Sequence, residues 1–264
     1  GNRRFAFDSY RRFIQMFGNV VDEVNADRFE SALAACRNGL GVSQDFEIPA
    51  EALEKLVVEF KAIYKAATGR DFPTDPWEQL RRAIEAVFKS WNIPRAVTYR
   101  KINKIADDLG TAVNVISMVF GNLGDDCGTG VCFTRNPSNG ENKLYGEFLI
   151  NAQGEDVVAG IRTPMPIGQL EEAMPEIYKE LCRLTSQLEK SYRDMQDIEF
   201  TIERGKLFLL QTRTGKRTAA AAVKVAMDMV SEGLIDTKTA VARVSPEQVE
   251  QLLHRQVDKN APQE

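Results

Sequence analysis

Apolar residues in the first hundred positions recur at helical spacing. Tyr10, Phe13, Ile14 and Phe17 fall at i, i+3, i+4 and i+7, which lays one apolar stripe along a first helix that Gly18 is placed to end. Residues 50–67 repeat the pattern. The clearest start signal comes next: Asp75 can cap, Pro76 suits the first helical position and Glu78 completes a capping box. Trp77, Leu80, Ile84, Val87, Phe88 and Trp91 then form a face expected to be buried, and Pro94 closes the helix. Such stripes are usually packing faces, so neither tryptophan is assigned a function.

After Leu109 the period changes. Short β-branched or aromatic runs at 112–120, 130–134, 144–152, 197–202 and 207–212, separated by glycine-rich turns, predict a sheet. One long helix interrupts them at residues 169–192, where Met174, Ile177, Leu181, Leu184 and Leu188 can lie across a sheet face. Beyond Gly215 the pattern is helical again, with an alanine run at 219–222 and a start signal at Ser245-Pro246-Glu247-Gln248. The polar tail 258–264 is expected to fray. The predicted class is α+β: a helical subdomain at 1–109, an α+β lobe at 110–215 and helices from 216 to 264.

The chain of 264 residues has room for two lobes, each with its own core. A net charge of -4 and 27% charged residues give no basic footprint, which argues against a nucleic-acid partner. The longest uncharged stretch, Leu109 to Gly124, contains Asn114, Asn122 and three glycines, too short and polar to span a bilayer. No apolar run follows Arg3 and Arg4, so no signal peptide is read and a cytoplasmic location is expected. Cys36, Cys127, Cys132 and Cys182 form no CxxC pair and lie far in sequence from the single histidine, His254, so reduced structural thiols are expected. A chain opening on Gly1 suggests a processed or cloned piece.

The richest candidate chemistry lies in 196–213. Alternation puts Ile198, Phe200 and Ile202 on one face and Asp197, Glu199 and Thr201 on the other. With Arg204-Gly205-Lys206 as a three-residue loop, Glu203 faces Leu207, Glu199 faces Gln211, and Asp197 faces Arg213. Grouped oxygen ligands suit magnesium, and the guanidinium can hold Asp197 or grip a phosphate. The alternative is an amphipathic hairpin whose polar face is merely wet.

Two further stretches are weaker. A Gly128-Thr129-Gly130 turn could present backbone N–H groups and a hydroxyl to an anion, or be a plain tight turn. Polar residues 151–156, Glu155 among them, follow the strand 144–150 and could meet ribose hydroxyls or simply face solvent. There is no G-x-x-x-x-G-K-[ST] run, so this is not a P-loop protein.

In order and spacing, Gly110-Thr111-Ala112-Val113-Asn114-Val115, Gly128-Thr129-Gly130-Val131, the run 144–158 and Asp197-Ile198-Glu199-Phe200-Thr201-Ile202 with Gln211-Thr212-Arg213-Thr214-Gly215-Lys216-Arg217-Thr218-Ala219 resemble the pyruvate phosphate dikinase family. Phosphoenolpyruvate synthases and water dikinases rank second, and a non-catalytic docking module is the competing class. The resemblance implies an ATP-grasp-like nucleotide-binding lobe with a preceding helical subdomain and C-terminal linker helices. It implies ATP as substrate and magnesium as cofactor, with phosphohistidine and pyruvate-binding domains of the same parent chain as partners, and a possible parent homodimer.

By position, Glu199 and Gln211 would be metal ligands, Asp197 and Arg213 would act at the phosphates, Thr129 would contact phosphate and Glu155 the nucleoside. Ile116 stands where the family usually carries glutamine. No threonine-serine-histidine run is present, and His254 sits in Leu253-His254-Arg255. The resemblance therefore implies a fragment that lacks its phosphoryl acceptor and an upstream lobe.

Overall fold

The computed structural model describes residues 2–158 and 162–253, the side chain of Val158 excepted. The expectations for His254 and for the tail 258–264 lie outside those residues. The chain divides into two compact units, 1–117 and 118–264.

The first unit is helical: α1 (Arg3–Asp22), α2 (Ala26–Leu40), α3 (Ala50–Thr68), α4 (Pro76–Ser90) and α5 (Pro94–Ile102). Its core joins the α1 stripe to α2 and α3 through Ile14, Phe17, Phe29, Leu33, Leu53, Phe60 and Tyr64. Phe72 packs edge-on against Phe13, Phe17 and Tyr64. Gly18 does not end α1, which continues to Asp22. A Cβ there would lie 3.2 Å from the Phe29 ring and 3.4 Å from that of Tyr64, so glycine lets the helices approach closely.

Around α4 the local signals and the packing part company. Asp75 caps as expected, accepting from the N–H groups of Trp77 and Glu78. The stripe is not buried, however: Trp77 is 76% exposed, and Val87 and Phe88 are also exposed. The helix is tied to α1 by Arg82, which pairs with Asp22, donates to Tyr64 and lies over the Phe17 ring. Pro94 does not close α4 but opens α5, where its missing N–H costs nothing. Residues 112–120 form no strand, and Val115 and Ile116 are exposed. An apolar run needs a neighbouring strand to bond with, and these residues have none.

The second unit is built on β1 (Gly128–Phe133), β2 (Tyr145–Ile150), α6 (Gly154–Val158), β3 (Met165–Pro166), α7 (Leu170–Ala173), α8 (Pro175–Tyr192), β4 (Gln196–Glu203), β5 (Lys206–Thr214), α9 (Ala219–Ser231), α10 (Thr237–Arg243) and α11 (Pro246–Leu253). Its five strands form one antiparallel sheet in the order β3-β2-β1-β4-β5. The long helix expected over 169–192 is broken at Met174, and Pro175 starts α8. Ile177 and Leu181 of α8 pack against Cys132, Phe148, Ile198, Phe200 and Ile202 on one sheet face.

The opposite face is flanked by two helices of the unit. At one end α6 packs through Val157 on Leu149, Ala152 and Val131. At the other, Val225 and Met229 of α9 pack with Met195 and Phe133. Ser245 opens α11 as expected, exchanging hydrogen bonds with Gln248. Among the described residues no helix is long and apolar enough to cross a membrane.

Candidate functional site

Alternation along β4 turns Asp197, Glu199, Thr201 and Glu203 to the flanked face, away from the core. Its partner β5 returns through a two-residue turn, not the three-residue loop read from the sequence: Glu203 pairs with Lys206, and Arg204 and Gly205 have φ of 51° and 67°. Left-handed backbone at both central residues matches a type I′ turn, whose twist suits the strands. The turn is anchored, because Arg204 N–H donates to Cys127 Sγ (3.2 Å) and Gly205 N–H to the Asp126 carbonyl (2.9 Å). Burial pushes the Cys127 thiol above its ordinary pKa, so it serves here as a neutral acceptor.

From the turn to Phe200 opposite Leu209 the ladder is regular; a bulge then leaves Leu210 unpaired. Beyond it Glu199 faces Gln211 and Asp197 faces Arg213, the two pairs expected from sequence. The shorter turn and the bulge each change the count by one, and the changes cancel.

Arg213 Nε donates to Asp197 Oδ2 at 2.8 Å, and its Nη2 stands 3.6 Å from Glu199 Oε1. Hydrogen bonding to Asp197 raises the guanidinium pKa above its ordinary value, with Glu199 adding a smaller push. The Asp197 side chain is 13% exposed and that of Glu199 38%, so one carboxylate is enclosed by its partner while the other is open to a ligand. Asp197, Glu199, Gln211 and Arg213 thus form a group of two carboxylates, an amide and one guanidinium with a net charge of minus one.

Thr129 lies on the same face, opposite Thr201, but Gly128-Thr129-Gly130 is not a turn. It is the start of the central strand, paired on both sides, so its backbone forms no nest for an anion. The glycines are there for space: a Cβ on Gly130 would lie 2.5 Å from the Phe200 ring and 2.7 Å from the Glu147 carbonyl. Thr129 is 3% exposed, and its hydroxyl donates to the Phe200 carbonyl at 3.1 Å.

Glu155 is exposed on α6, whose Gly154 Cβ position lies 4.0 Å from Thr129 Oγ1. Asp156 holds the start of that helix by accepting from Gln153 N–H at 2.8 Å. Sequence reasoning missed Glu203, which accepts from Phe120 N–H at 2.7 Å and ties the loop before β1 to the hairpin. Its place in the β4 alternation was the available signal.

The donor set fits magnesium. Glu199 and Gln211 are directly opposed across the strands, with Asp197 next along the same face, and Mg²⁺ takes one or two carboxylates and fills its remaining positions with water and phosphate oxygens. Among the described residues no group of three or more His, Cys, Asp or Glu could hold a metal ion, so the carboxylates here would be completed by Gln211, water and phosphate oxygens.

A family model described as "Pyruvate phosphate dikinase, AMP/ATP-binding domain" matches residues 72–175 and 169–234. Over 255 residues the chain is 57% identical to the Pyruvate, phosphate dikinase of Clostridium symbiosum, covering 96% of this chain and 29% of that protein. It is 56% identical to the chloroplastic enzyme of Flaveria trinervia, over 97% of this chain and 27% of the relative. It is 54% identical to Pyruvate, phosphate dikinase 2 of Oryza sativa subsp. japonica, over 97% and 29% respectively. The chain belongs to the pyruvate phosphate dikinase family. It spans less than a third of the length of these dikinases. Its α+β fold, with one antiparallel sheet carrying the candidate residues other than Glu155, is that of the family's ATP-grasp-like nucleotide domain.

Proposed function

We propose that this chain is the metal- and phosphate-holding part of a dikinase that converts ATP, phosphate and pyruvate to AMP, diphosphate and phosphoenolpyruvate through a phosphohistidine. The observation that carries the reading is the β4–β5 face, where Glu199 opposes Gln211 and Arg213 is ion-paired to Asp197. Phosphoryl transfer asks little covalent chemistry of the protein; it needs charge neutralised and reacting groups held in line. Glu199 and Gln211 would hold magnesium, with Asp197 beside them. When bound, the metal supplies charge neutralisation at the phosphate oxygens.

Arg213 adds a planar donor for phosphate, oriented by Asp197 through Nε. Glu155 on the flanking helix would meet the nucleoside. Thr129, its hydroxyl committed to the Phe200 carbonyl, would reach phosphate only by exchanging that bond. The acceptor histidine would belong to another domain of the parent, because the single histidine here, His254, stands in a Leu-His-Arg context.

Titration of magnesium and ATP into a chain extended to the length of the dikinases, beside the 264-residue chain, tests the reading. The long form should bind ATP and phosphorylate a histidine; the short form should make no AMP or phosphoenolpyruvate above background. A long form that ignores ATP would leave the fold as a docking module.

A further inference from the structure

The β4–β5 hairpin faces a register problem that its apolar residues leave open. From the turn outward the ladder is regular as far as Phe200 and Leu209. Continued without a bulge, it would set Glu199 against Leu210 and Ile198 against Gln211. Side chains alternate with period two, so Gln211 and Arg213 would then leave the Asp197–Glu199 face altogether. Instead Leu210 is set aside, 48% exposed, and both polar side chains come round. Residues 211–214 read Gln-Thr-Arg-Thr, with no apolar side chain to select that arrangement.

Selection comes from the opposite face. Thr212 Oγ1 donates to Gln196 Oε1 at 3.0 Å. Gln196 is 2% exposed, and its Nε2 donates to the carbonyls of Asp194 (2.9 Å) and Met195 (3.2 Å), so the amide has one workable orientation and its oxygen needs a donor. Gln196 N–H donates to Thr134 Oγ1 and Thr134 N–H donates back to the Gln196 carbonyl, each at 3.0 Å. The Thr134 hydroxyl donates to Glu189 Oε2 at 2.5 Å. Fully buried Arg135 grips Glu189 of α8, Nη2 to Oε1 at 2.8 Å, and also pairs with Glu232 at the end of α9. Thr212 is thereby referred to two helices of the unit. In the unbulged ladder it would face away from Gln196, and the Arg213 guanidinium would be driven against a buried amide.

We propose that Gln196 and Thr212 are positioning residues. Their hydrogen bond fixes the bulge at Leu210, and the bulge is what brings Gln211 and Arg213 onto the face of Asp197 and Glu199. The ion pair of Arg213 with Asp197, and Gly215 N–H donating to the Met195 carbonyl (2.9 Å), favour the same register from either side. The consequence for ATP rests on the functional reading above; the register does not.

Thr212→Val keeps a β-branched strand residue and removes the donor, while Thr212→Ser keeps the donor. In the 264-residue chain, cross-strand NOEs distinguish Glu199 against Gln211 from Glu199 against Leu210. The valine variant is expected to populate the second pattern and the serine variant to keep the first. In the full-length parent, Thr212→Val should slow ATP-dependent histidine phosphorylation about tenfold or more. Deleting Leu210 in the valine background should recover most of that loss, because a continuous ladder from the same turn then sets Gln211 against Glu199 and Arg213 against Asp197. If valine alone unfolds the chain, the serine variant is read instead, and a serine chain that pairs Glu199 with Leu210 overturns the proposal.

A Thr212→Val chain with the native NOE pattern overturns the proposal, as does a loss of rate that the deletion leaves uncorrected in a folded chain. Should the functional reading fail instead, the parent would ignore ATP in every variant while the NOE pattern still shifted with valine.

Discussion

Two halves of one hairpin are held by different forces. Next to the turn, Phe200, Ile202, Leu207 and Leu209 meet the apolar core under α8, and burial sets their register. Past Leu210, Gln196, Asp197, Thr212 and Arg213 are held by hydrogen bonds and an ion pair. Apolar packing is additive and forgiving; a polar network is directional and fails when one partner is lost. The candidate chemistry sits in the second half. Ile198 still packs β4 into the core there, but the facing residues of β5 are polar, and hydrogen bonds on the back of β5 stand in for packing in holding its register.

Removing burial from the turn-side half should have the largest effect on stability. Phe200→Ala is expected to cost about 4 kcal/mol in denaturant unfolding, as for a fully buried aromatic that packs across the sheet. Gly130→Ala attacks the same contact by overfilling it, since the new methyl would collide with the Phe200 ring and the Glu147 carbonyl, and about 3 kcal/mol should be lost. Both should lower the melting temperature of the second unit without first changing the pairing of Glu199 with Gln211.

In the distal half, Thr212→Val leaves the buried Gln196 oxygen without its donor, an expected cost of about 2 kcal/mol. Its effect on ATP-dependent phosphorylation should exceed that of Gly205→Ala, although both alter the hairpin. Gly205→Ala strains a backbone with φ of +67° and should cost about 1 kcal/mol, with the distal register unchanged by NMR. If Gly205→Ala moved the Glu199–Gln211 pair as far as Thr212→Val does, the distinction between the two halves would collapse.

The same contrast explains how much could be read from sequence. Period-two alternation in 197–202 puts Asp197 and Glu199 on one face, because strand faces follow from local geometry, but their pairing with Arg213 and Gln211 comes out as read only because a turn one residue shorter is offset by the bulge at Leu210. Turn length was not legible: Arg204-Gly205-Lys206 offers a glycine that suits either a two-residue turn or a three-residue loop. Nothing local marks Leu210 as the bulged residue, and its selection depends on Thr134 and Glu189, far away in the chain.

Elsewhere the pattern repeats. The Asp75 cap was readable and the burial of the α4 stripe was not, since a cap needs only its own turn and burial needs a partner. The glycines of Gly128-Thr129-Gly130 looked like a turn because a requirement for space and a requirement for positive φ leave the same letter in the sequence.

The central claim is that the distal hairpin face holds the metal and phosphates of ATP, and Glu199 is its most direct probe. In the full-length parent Glu199→Ala removes one carboxylate that is 38% exposed, and thermal melts should move by no more than about half a kcal/mol of stability. The ATP-dependent phosphorylation of the histidine should fall about a hundredfold or more, as expected if Glu199 supplies an anionic ligand to a metal that neutralises phosphate charge. The pyruvate half-reaction, measured separately, should survive. Near-normal ATP-dependent phosphorylation in a folded Glu199→Ala parent would contradict the assignment and leave the hairpin face as solvated surface.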